Sequence, residues 1–116
     1  MKTPFKNDPF ALVWQAFKNL YPEKDCICFW DVEIKDEETG EIAYGFTNFA
    51  DGEAVVCVSA KIEVANAAEI LAHELAHVAA GETHDHDKVW ETAFDAIFAE
   101  YNRIGDQLFM QEDDLR

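Results

Sequence analysis

The chain has 116 residues, and its 24 acidic and 9 basic residues give a formal net charge of −15. This length supports a single domain, which we expect to span residues 1–116, and the apolar content of 49% is that of an ordinary globular protein. The few, scattered cations argue against direct nucleic-acid binding. The net negative charge favours basic partners. No apolar run is long enough to predict a membrane span.

The first predicted element is a helix over Pro9–Tyr21. Asp8 can cap its start, and proline suits the first helical position. Pro22 is expected to end it. Apolar residues at helical spacing predict that one face of this helix lies in the core. They are Phe10, Val13, Trp14, Phe17 and Tyr21.

Three strands are predicted next, in the segments "CICFWDVEIK", "EIAYGFTNF" and "AVVCVSAKI". They are rich in β-branched and aromatic residues, and the turn sequences "DEETG" and "ADGE" separate them. Short connections favour antiparallel pairing of neighbouring strands. We expect a mainly antiparallel sheet with the third strand, Ala54–Ala60, at its edge.

The three cysteines are expected to stay reduced. Cys26 and Cys28 are two apart in a strand, so they share a face but are badly placed to bridge each other. Cys57 is expected to pack as a small apolar group. An odd cysteine count, with no secretory signal in "MKTPFKNDPF", predicts a cytoplasmic protein. A CxC pair with one distant cysteine lacks the usual spacing of a zinc site.

Two further helices are predicted in the second half of the chain. The first covers about residues 65–80, is apolar or alanine on most sides and should therefore be buried, and Gly81 supplies its C-cap. The second covers about residues 87–104, with Asp85 or Asp87 as N-cap and Gly105 as its end. The predicted fold is therefore α+β, in the order helix, three strands, helix, helix.

All four histidines lie within residues 73–86, in "HELAHVAAGETHDH". His73 and His77 are four apart on the buried helix, so both imidazoles can reach one metal ion. Glu74 lies beside them, placed to meet a water on the metal rather than the metal. HExxH on a helix is the arrangement of zinc hydrolases, in which the glutamate is the general base.

The spacing of the residues alone does not decide which one is the third metal ligand. His84 and His86 alternate in the loop before the last helix, so only one of them is expected to face the metal. A glutamate of the last helix, Glu91 or Glu100, is a further alternative, since a helix carboxylate can also bind zinc. Tyr44, Tyr101 and His84 are candidates for the residue that stabilises the oxyanion formed during peptide hydrolysis, and the sequence does not rank them.

The arrangement resembles the zincin metallopeptidases, most closely the small SprT-like and phage-type peptidases. In those families HExxH is followed by a loop, a His–Gly or His–Asp pair, and an aromatic residue four beyond that histidine, which "HDKVW" matches with His86 and Trp90. The segment "YGFTNFADGEAVVCVSAKI" resembles their strands before the active-site helix. The resemblance covers residues 42–98 and implies that His73, His77 and His86 bind Zn²⁺ with Glu74 as general base.

The expected function is a zinc-dependent peptidase of the cytoplasm that acts on a protein or peptide, with a phage origin implied by the resemblance alone. The DNA-repair role of SprT-like proteases is not carried over, because the acidic chain lacks the cations that DNA contact needs. The alternative is a non-catalytic acidic module, stapled by zinc, that binds a basic host protein or mimics the charge of a nucleic acid. Oligomeric state is left open.

Overall fold

The computed structural model describes Phe5 and residues 7–114. The first four residues and Lys6, which belong to the segment searched for a secretory signal, lie outside this range. The fold is α+β, with three helices and a small mixed sheet. The helices are α1 (Pro9–Leu20), α2 (Val64–Ala80) and α3 (Lys88–Asp114), and the strands are β1 (Ile27–Asp31), β2 (Ile34–Lys35), β3 (Ile42–Ala43), β4 (Gly45–Ala50) and β5 (Glu53–Ser59).

Helix α1 begins as its sequence predicts. The carboxylate of Asp8 accepts a hydrogen bond from the backbone N–H of Phe10 at 2.9 Å, and Pro9 occupies the first turn. The predicted stripe points inward, with Val13 and Phe17 fully buried. The helix ends at Leu20, one residue before the predicted end.

The sheet differs from its prediction in three respects. The first two predicted strands are each divided in two, into β1 and β2 and into β3 and β4, and β2 and β3 form a separate two-stranded sheet. Strand β5 lies in the centre of the three-stranded sheet, between β1 and β4, so the expectation that Ala54–Ala60 forms an edge was wrong. Strand β4 pairs with β5 antiparallel, as predicted, but β1 pairs with β5 in parallel. The reason is that the chain between β1 and β5 makes the small β2–β3 hairpin and then β4, and β4 takes the other side of β5.

The turn between β4 and β5 is a two-residue hairpin loop. Asp51 and Gly52 have φ values of 53° and 80°, which place both in the left-handed region. Loops of this kind match the twist of the flanking strands, and Asp-Gly is a preferred sequence for them. The turn therefore sets the register in which Ala50 lies opposite Glu53.

Helix α2 lies in the middle of the molecule, packed against β4 and β5 on one side and against α1 and α3 on others. Its predicted burial is confirmed, since Ala72, Leu75 and Ala76 are fully buried. The helix ends at Ala80, where Gly81 has φ 99° and donates its N–H to the His77 carbonyl. A side chain of α2 that is not covered by one of these elements must therefore face a cleft between them.

Helix α3 is longer than predicted. It continues through Gly105 to Asp114, so the expectation that Gly105 ends the helix was wrong. A glycine inside a helix costs only about 1 kcal/mol relative to alanine, and the preceding turns of α3 pack on α1 and α2. Within the described residues, no helix combines the length and apolar character that crossing a membrane requires.

Candidate metal centre

Helix α2 places two imidazoles side by side. His73 and His77 are one turn apart, and their ring centroids lie 5.2 Å from each other. Both rings are partly buried, although most of the helix around them is fully buried. They therefore project from α2 where it is not covered by the sheet or by α1.

The loop between α2 and α3 brings a third imidazole to this pair. His86 has φ 51°, in the left-handed region that histidine adopts more readily than most residues. Its Nε2 atom lies 3.1 Å from Nε2 of His77 and 3.1 Å from Nε2 of His73. The three histidines thus lie close enough to bind one metal ion.

The spacing of these nitrogen atoms fits a metal ion. Two nitrogens bound to one tetrahedral zinc ion at about 2.05 Å lie about 3.3 Å apart. Hydrogen bonding alone does not account for the cluster, because one Nε2 carries either a single hydrogen or a single lone pair. His86 Nε2 has two nitrogen neighbours at 3.1 Å and can satisfy only one of them. A cation at the centre would accept all three lone pairs.

His86 is oriented by the residue before it. Its Nδ1 atom lies 3.1 Å from the carboxylate of Asp85. A hydrogen on Nδ1 that is donated to this carboxylate leaves Nε2 unprotonated and aimed at the other two histidines. Partners of this kind set the tautomer of metal-binding histidines. Sequence reasoning considered Asp85 only as a helix cap and missed this contact.

The electrostatic environment keeps the two helix histidines neutral. Burial, followed by the proximity of His77 and His86, lowers the pKa of His73 to about 4. Burial also lowers the pKa of His77, with a further contribution from His86 and an opposing one from Asp85. Since a metal binds the neutral imidazole, His73 and His77 have the protonation state required of ligands at neutral pH.

Glu74 is a buried carboxylate, only 6% exposed. Its Oε1 atom accepts a hydrogen bond from the hydroxyl of Thr47 on β4 at 2.7 Å. Burial raises the pKa of Glu74, while the bond from Thr47 and the proximity of His86 oppose that rise. Thr47 was not singled out from the sequence. The sequence nevertheless indicates this partner, because Thr47 is a polar residue on the inward side of its strand, and a buried carboxylate needs a hydrogen-bond donor.

Strand β4 comes unusually close to α2 beside Glu74. A Cβ atom built on Gly45 would lie 2.6 Å from Cγ2 of Ile70 and 3.1 Å from Oε2 of Glu74. It would also lie 3.2 Å from the carbonyl oxygen of Cys57 on β5. Only glycine therefore allows the first residue of β4 to contact the helix at this point.

Gly45→Ala should for this reason destabilise the protein by about 1–3 kcal/mol, the usual cost of forcing an extra methyl group into a packed site. Gly105→Ala is the control, because Gly105 is helical and its added Cβ would meet nothing within 4 Å. That change should stabilise by up to about 1 kcal/mol. Urea denaturation of both variants measures the difference, and a Gly45 variant as stable as the parent would contradict the close approach.

Trp90 forms one wall of the histidine cluster. Its indole N–H donates to the carbonyl oxygen of His73 at 3.2 Å. Its ring lies 4.7 Å from the rings of both His73 and His86, centroid to centroid. Asp87 caps α3 by accepting from the backbone N–H of Trp90 at 3.1 Å, as one of the two predicted caps. The first turn of α3 is thereby attached to α2 at the cluster.

Trp90→Phe should weaken metal binding by about ten-fold, since partners that orient ligands typically contribute ten- to hundred-fold. The substitution removes the indole N–H donor and makes the side chain smaller, but it keeps an aromatic ring. Trp14→Phe is the matched control, because Trp14 lies on α1 and contacts Phe17 rather than the histidines. Competition with a fluorescent zinc chelator measures both affinities. Equal affinities in the two variants would show that the wall does not support the ligands.

The other candidate ligands lie elsewhere or have other partners. His84 pairs through Nδ1 with the carboxylate of Asp87 at 2.7 Å. Glu91 lies 3.9 Å from the Lys88 ammonium, and Glu100 accepts from Arg103 and Asn19. Among the residues that the structure describes, the three-histidine group contains none of these side chains.

The two tyrosines considered for the oxyanion are placed differently from each other. Tyr101 on α3 packs beside Phe98, with ring centroids 5.8 Å apart. Tyr44 precedes Gly45 and lines a groove of about 580 Å³ that also contains Glu69 and Ile70. Of the two, Tyr44 therefore lies on the side of α2 where β4 packs against Glu74.

No model of a protein family, no curated protein and no solved structure matches this chain.

Proposed function

We propose that the chain is a zinc-dependent peptidase in which His73, His77 and His86 hold the metal and Glu74 is the general base. The observation that carries this proposal is the convergence of three Nε2 atoms beside a buried carboxylate. In the described part of the chain, no fourth His, Cys, Asp or Glu atom joins the group. A structural zinc site has four protein ligands, whereas a catalytic site has three and an open position.

Zinc is the metal proposed, because three imidazoles are the ligand set of known catalytic zinc sites, and the two Nε2–Nε2 distances to His86, 3.1 Å each, are close to those of tetrahedral zinc. Bound zinc supplies a Lewis acid and lowers the pKa of water to about 7. A buried carboxylate such as Glu74 is costly to ionise without a nearby cation, and a divalent ion at the histidines would offset that cost.

Glu74 has one oxygen committed to the fold and one available for chemistry. Thr47 holds Oε1, and Oε2 has no hydrogen-bond partner among the residues described. We assign to Oε2 the transfer of a proton from the attacking water to the leaving amine of the cleaved peptide. Thr47 is then a positioning residue, because its hydroxyl sets the direction of the carboxylate and takes no part in the proton transfer.

The substrate is proposed to bind to the free edge of β4. This strand lies at the edge of the sheet, and its Thr47 and Gly45 are the residues that approach Glu74. An extended peptide can add to such an edge through backbone hydrogen bonds. The strand predicted to be the edge, Ala54–Ala60, cannot bind a peptide in this way, because β5 is paired on both sides.

Charge favours a basic substrate. The net charge is −15, and the groove beside Ile70 carries the exposed carboxylates of Glu63 and Glu69. Lys61 is its single basic residue among those lining it, and the Lys61 ammonium lies 3.9 Å from Glu33. An acidic approach of this kind attracts peptides rich in lysine and arginine.

The three free cysteines accord with a reducing compartment such as the cytoplasm.

The same acidity favours a second candidate, a zinc-stapled module that binds a basic host protein without cleaving it or mimics nucleic-acid charge. Such a module has no need for a carboxylate buried beside the metal ligands and held by Thr47. Glu74 is therefore the residue that separates the two proposals, and we favour the peptidase.

A digest of a peptide library by the zinc-loaded protein tests the choice. We expect one zinc per chain by elemental analysis and cleavage that a chelator abolishes and added zinc restores. Cleaved peptides should be enriched in basic residues near the scissile bond. One bound zinc without cleavage of any peptide would favour the binding module. Protein free of zinc after expression in metal-replete medium would contradict both.

A further inference from the structure

A second cluster of metal-binding atoms lies at the opposite edge of the three-stranded sheet, at β1. Cys26 and Cys28 precede and enter β1, and their Sγ atoms are 3.9 Å apart. Cys28 is in register with Val56, a fully buried residue on the side of the sheet that faces the helices. Cys57 is in register with Phe29, so it points to the opposite side. The two sulfur atoms therefore form a pair from which Cys57 is excluded.

The pair borders an apolar cavity of about 240 Å³ between α1, α2 and β1. Apart from the two cysteines, its lining is hydrophobic or aromatic, including Phe10, Trp14, Trp30 and Leu71. The cavity offers no carboxylate or imidazole, and Cys28 itself is exposed. An ion that reaches the sulfurs thus meets two thiols beside an apolar cavity, with the charge of Asp25 close by.

From this arrangement we propose that Cys26 and Cys28 form a binding site for a soft monovalent metal ion, Cu(I), separate from the histidine centre. Thiolates select soft ions such as Cu(I), Zn²⁺ and iron–sulfur clusters. Zinc and iron–sulfur clusters require four protein ligands, or three for catalytic zinc. In the described part of the chain, no third His, Cys, Asp or Glu atom lies near enough to both sulfurs to complete such a set. Cu(I) accepts two.

The distance between the sulfurs fits a shared metal ion and is too long for a disulfide. Two sulfurs bound to one ion at about 2.3 Å are separated by about 3.8 Å at a tetrahedral angle and by about 4.6 Å in a linear arrangement. The observed 3.9 Å lies within that range. A disulfide would require the sulfurs to approach to about 2.05 Å, and alternate residues of a strand hold their Cα atoms at the upper limit for such a bond.

Proton and charge balance are compatible with Cu(I). The hydrogen bond between the two thiols, in which either sulfur can be the donor, lowers the pKa of Cys28 and, together with burial, raises the pKa of Cys26. A Cu(I) ion held by both sulfurs as thiolates would release their protons to solvent and leave a complex with one net negative charge. The charge of Asp25 opposes that complex, and the Lys18 ammonium, whose charge lowers the pKa of Cys26, favours it.

The test uses the full chain, first loaded with zinc, and Cu(I) supplied without oxygen in competition with bicinchoninate. The parent and the matched control Cys57→Ser should each bind one Cu(I) per chain and keep their zinc. Cys26→Ser and Cys28→Ser should bind at least about 100-fold more weakly, because a lost ligand should cost at least as much as the loss of an orienting partner. Circular dichroism establishes that each serine variant is folded.

Tryptophan fluorescence is a second readout, since Trp14 and Trp30 line the cavity. Cu(I) should quench it in the parent and in Cys57→Ser but not in the other two variants. Unchanged Cu(I) affinity in Cys26→Ser or Cys28→Ser would overturn the proposal. So would a second zinc equivalent that depends on these cysteines, because the pair would then prefer zinc. The peptidase proposal is decided separately, by cleavage and by Glu74, and a second zinc at the cysteines would change only the expected zinc content from one to two per chain.

Discussion

Replacing Glu74 by Gln should abolish peptide cleavage and leave the metal in place. The amide has the shape of the carboxylate, and its oxygen can still accept the hydrogen bond that Thr47 donates to Oε1. It cannot take up the proton of the attacking water. Loss of a general base lowers kcat by about 10²–10⁴-fold, and removal of a buried charge should not weaken the fold.

The matched control is Glu82→Gln, because Glu82 is an exposed glutamate in the loop that follows α2. It should cleave like the parent. Steady-state kinetics on a peptide from the library digest, together with zinc content by elemental analysis, distinguishes the two variants. Cleavage by Glu74→Gln at the parental rate would place the base elsewhere, and loss of zinc would make Glu74 part of the metal site itself.

His86→Asn should lose zinc, whereas His84→Asn should keep it. Asparagine tolerates the left-handed backbone that His86 adopts, so the substitution removes the imidazole without adding strain. One of three converging ligands is lost, and we expect the affinity to fall by more than about 100-fold, beyond the usual effect of residues that only orient ligands. Cleavage should disappear with the metal.

His84 is the matched control for His86, because it lies two residues earlier in the same loop and pairs with Asp87 instead. Glu91→Gln tests the remaining alternative and should also retain zinc, since Glu91 lies near Lys88 rather than at the cluster. Zinc affinities by chelator competition compare the three variants. Strong zinc binding by His86→Asn together with weak binding by His84→Asn would exchange the assigned roles.

The part of the site that lies on α2 was predictable from the sequence. His73, Glu74 and His77 follow from helical spacing alone, and the surrounding alanines and leucines indicated that the helix is buried. The caps at Asp8 and Asp87 were likewise local, because a cap depends on residues two or three positions away. Such features need no knowledge of how distant segments meet.

The contacts between segments were not predictable in this way. The helix α3 runs through Gly105 because its earlier turns pack on α1 and α2, which outweighs a local cost of about 1 kcal/mol. Likewise β1 pairs in parallel with β5. The pairing rule for short connections applies to strands adjacent in sequence, whereas three strands, β2, β3 and β4, separate β1 from β5 along the chain.

The sequence by itself determined that two imidazoles and a carboxylate share one face of a buried helix, because a helix repeats every 3.6 residues whatever surrounds it. Only the tertiary structure decided that His86 rather than His84 joins them, that Thr47 holds Glu74, and that Cys26 and Cys28 border a cavity. The physical reason is that a loop torsion such as φ 51° at His86, and the side of β5 on which β4 lies, are set by the packing of segments far apart in the chain.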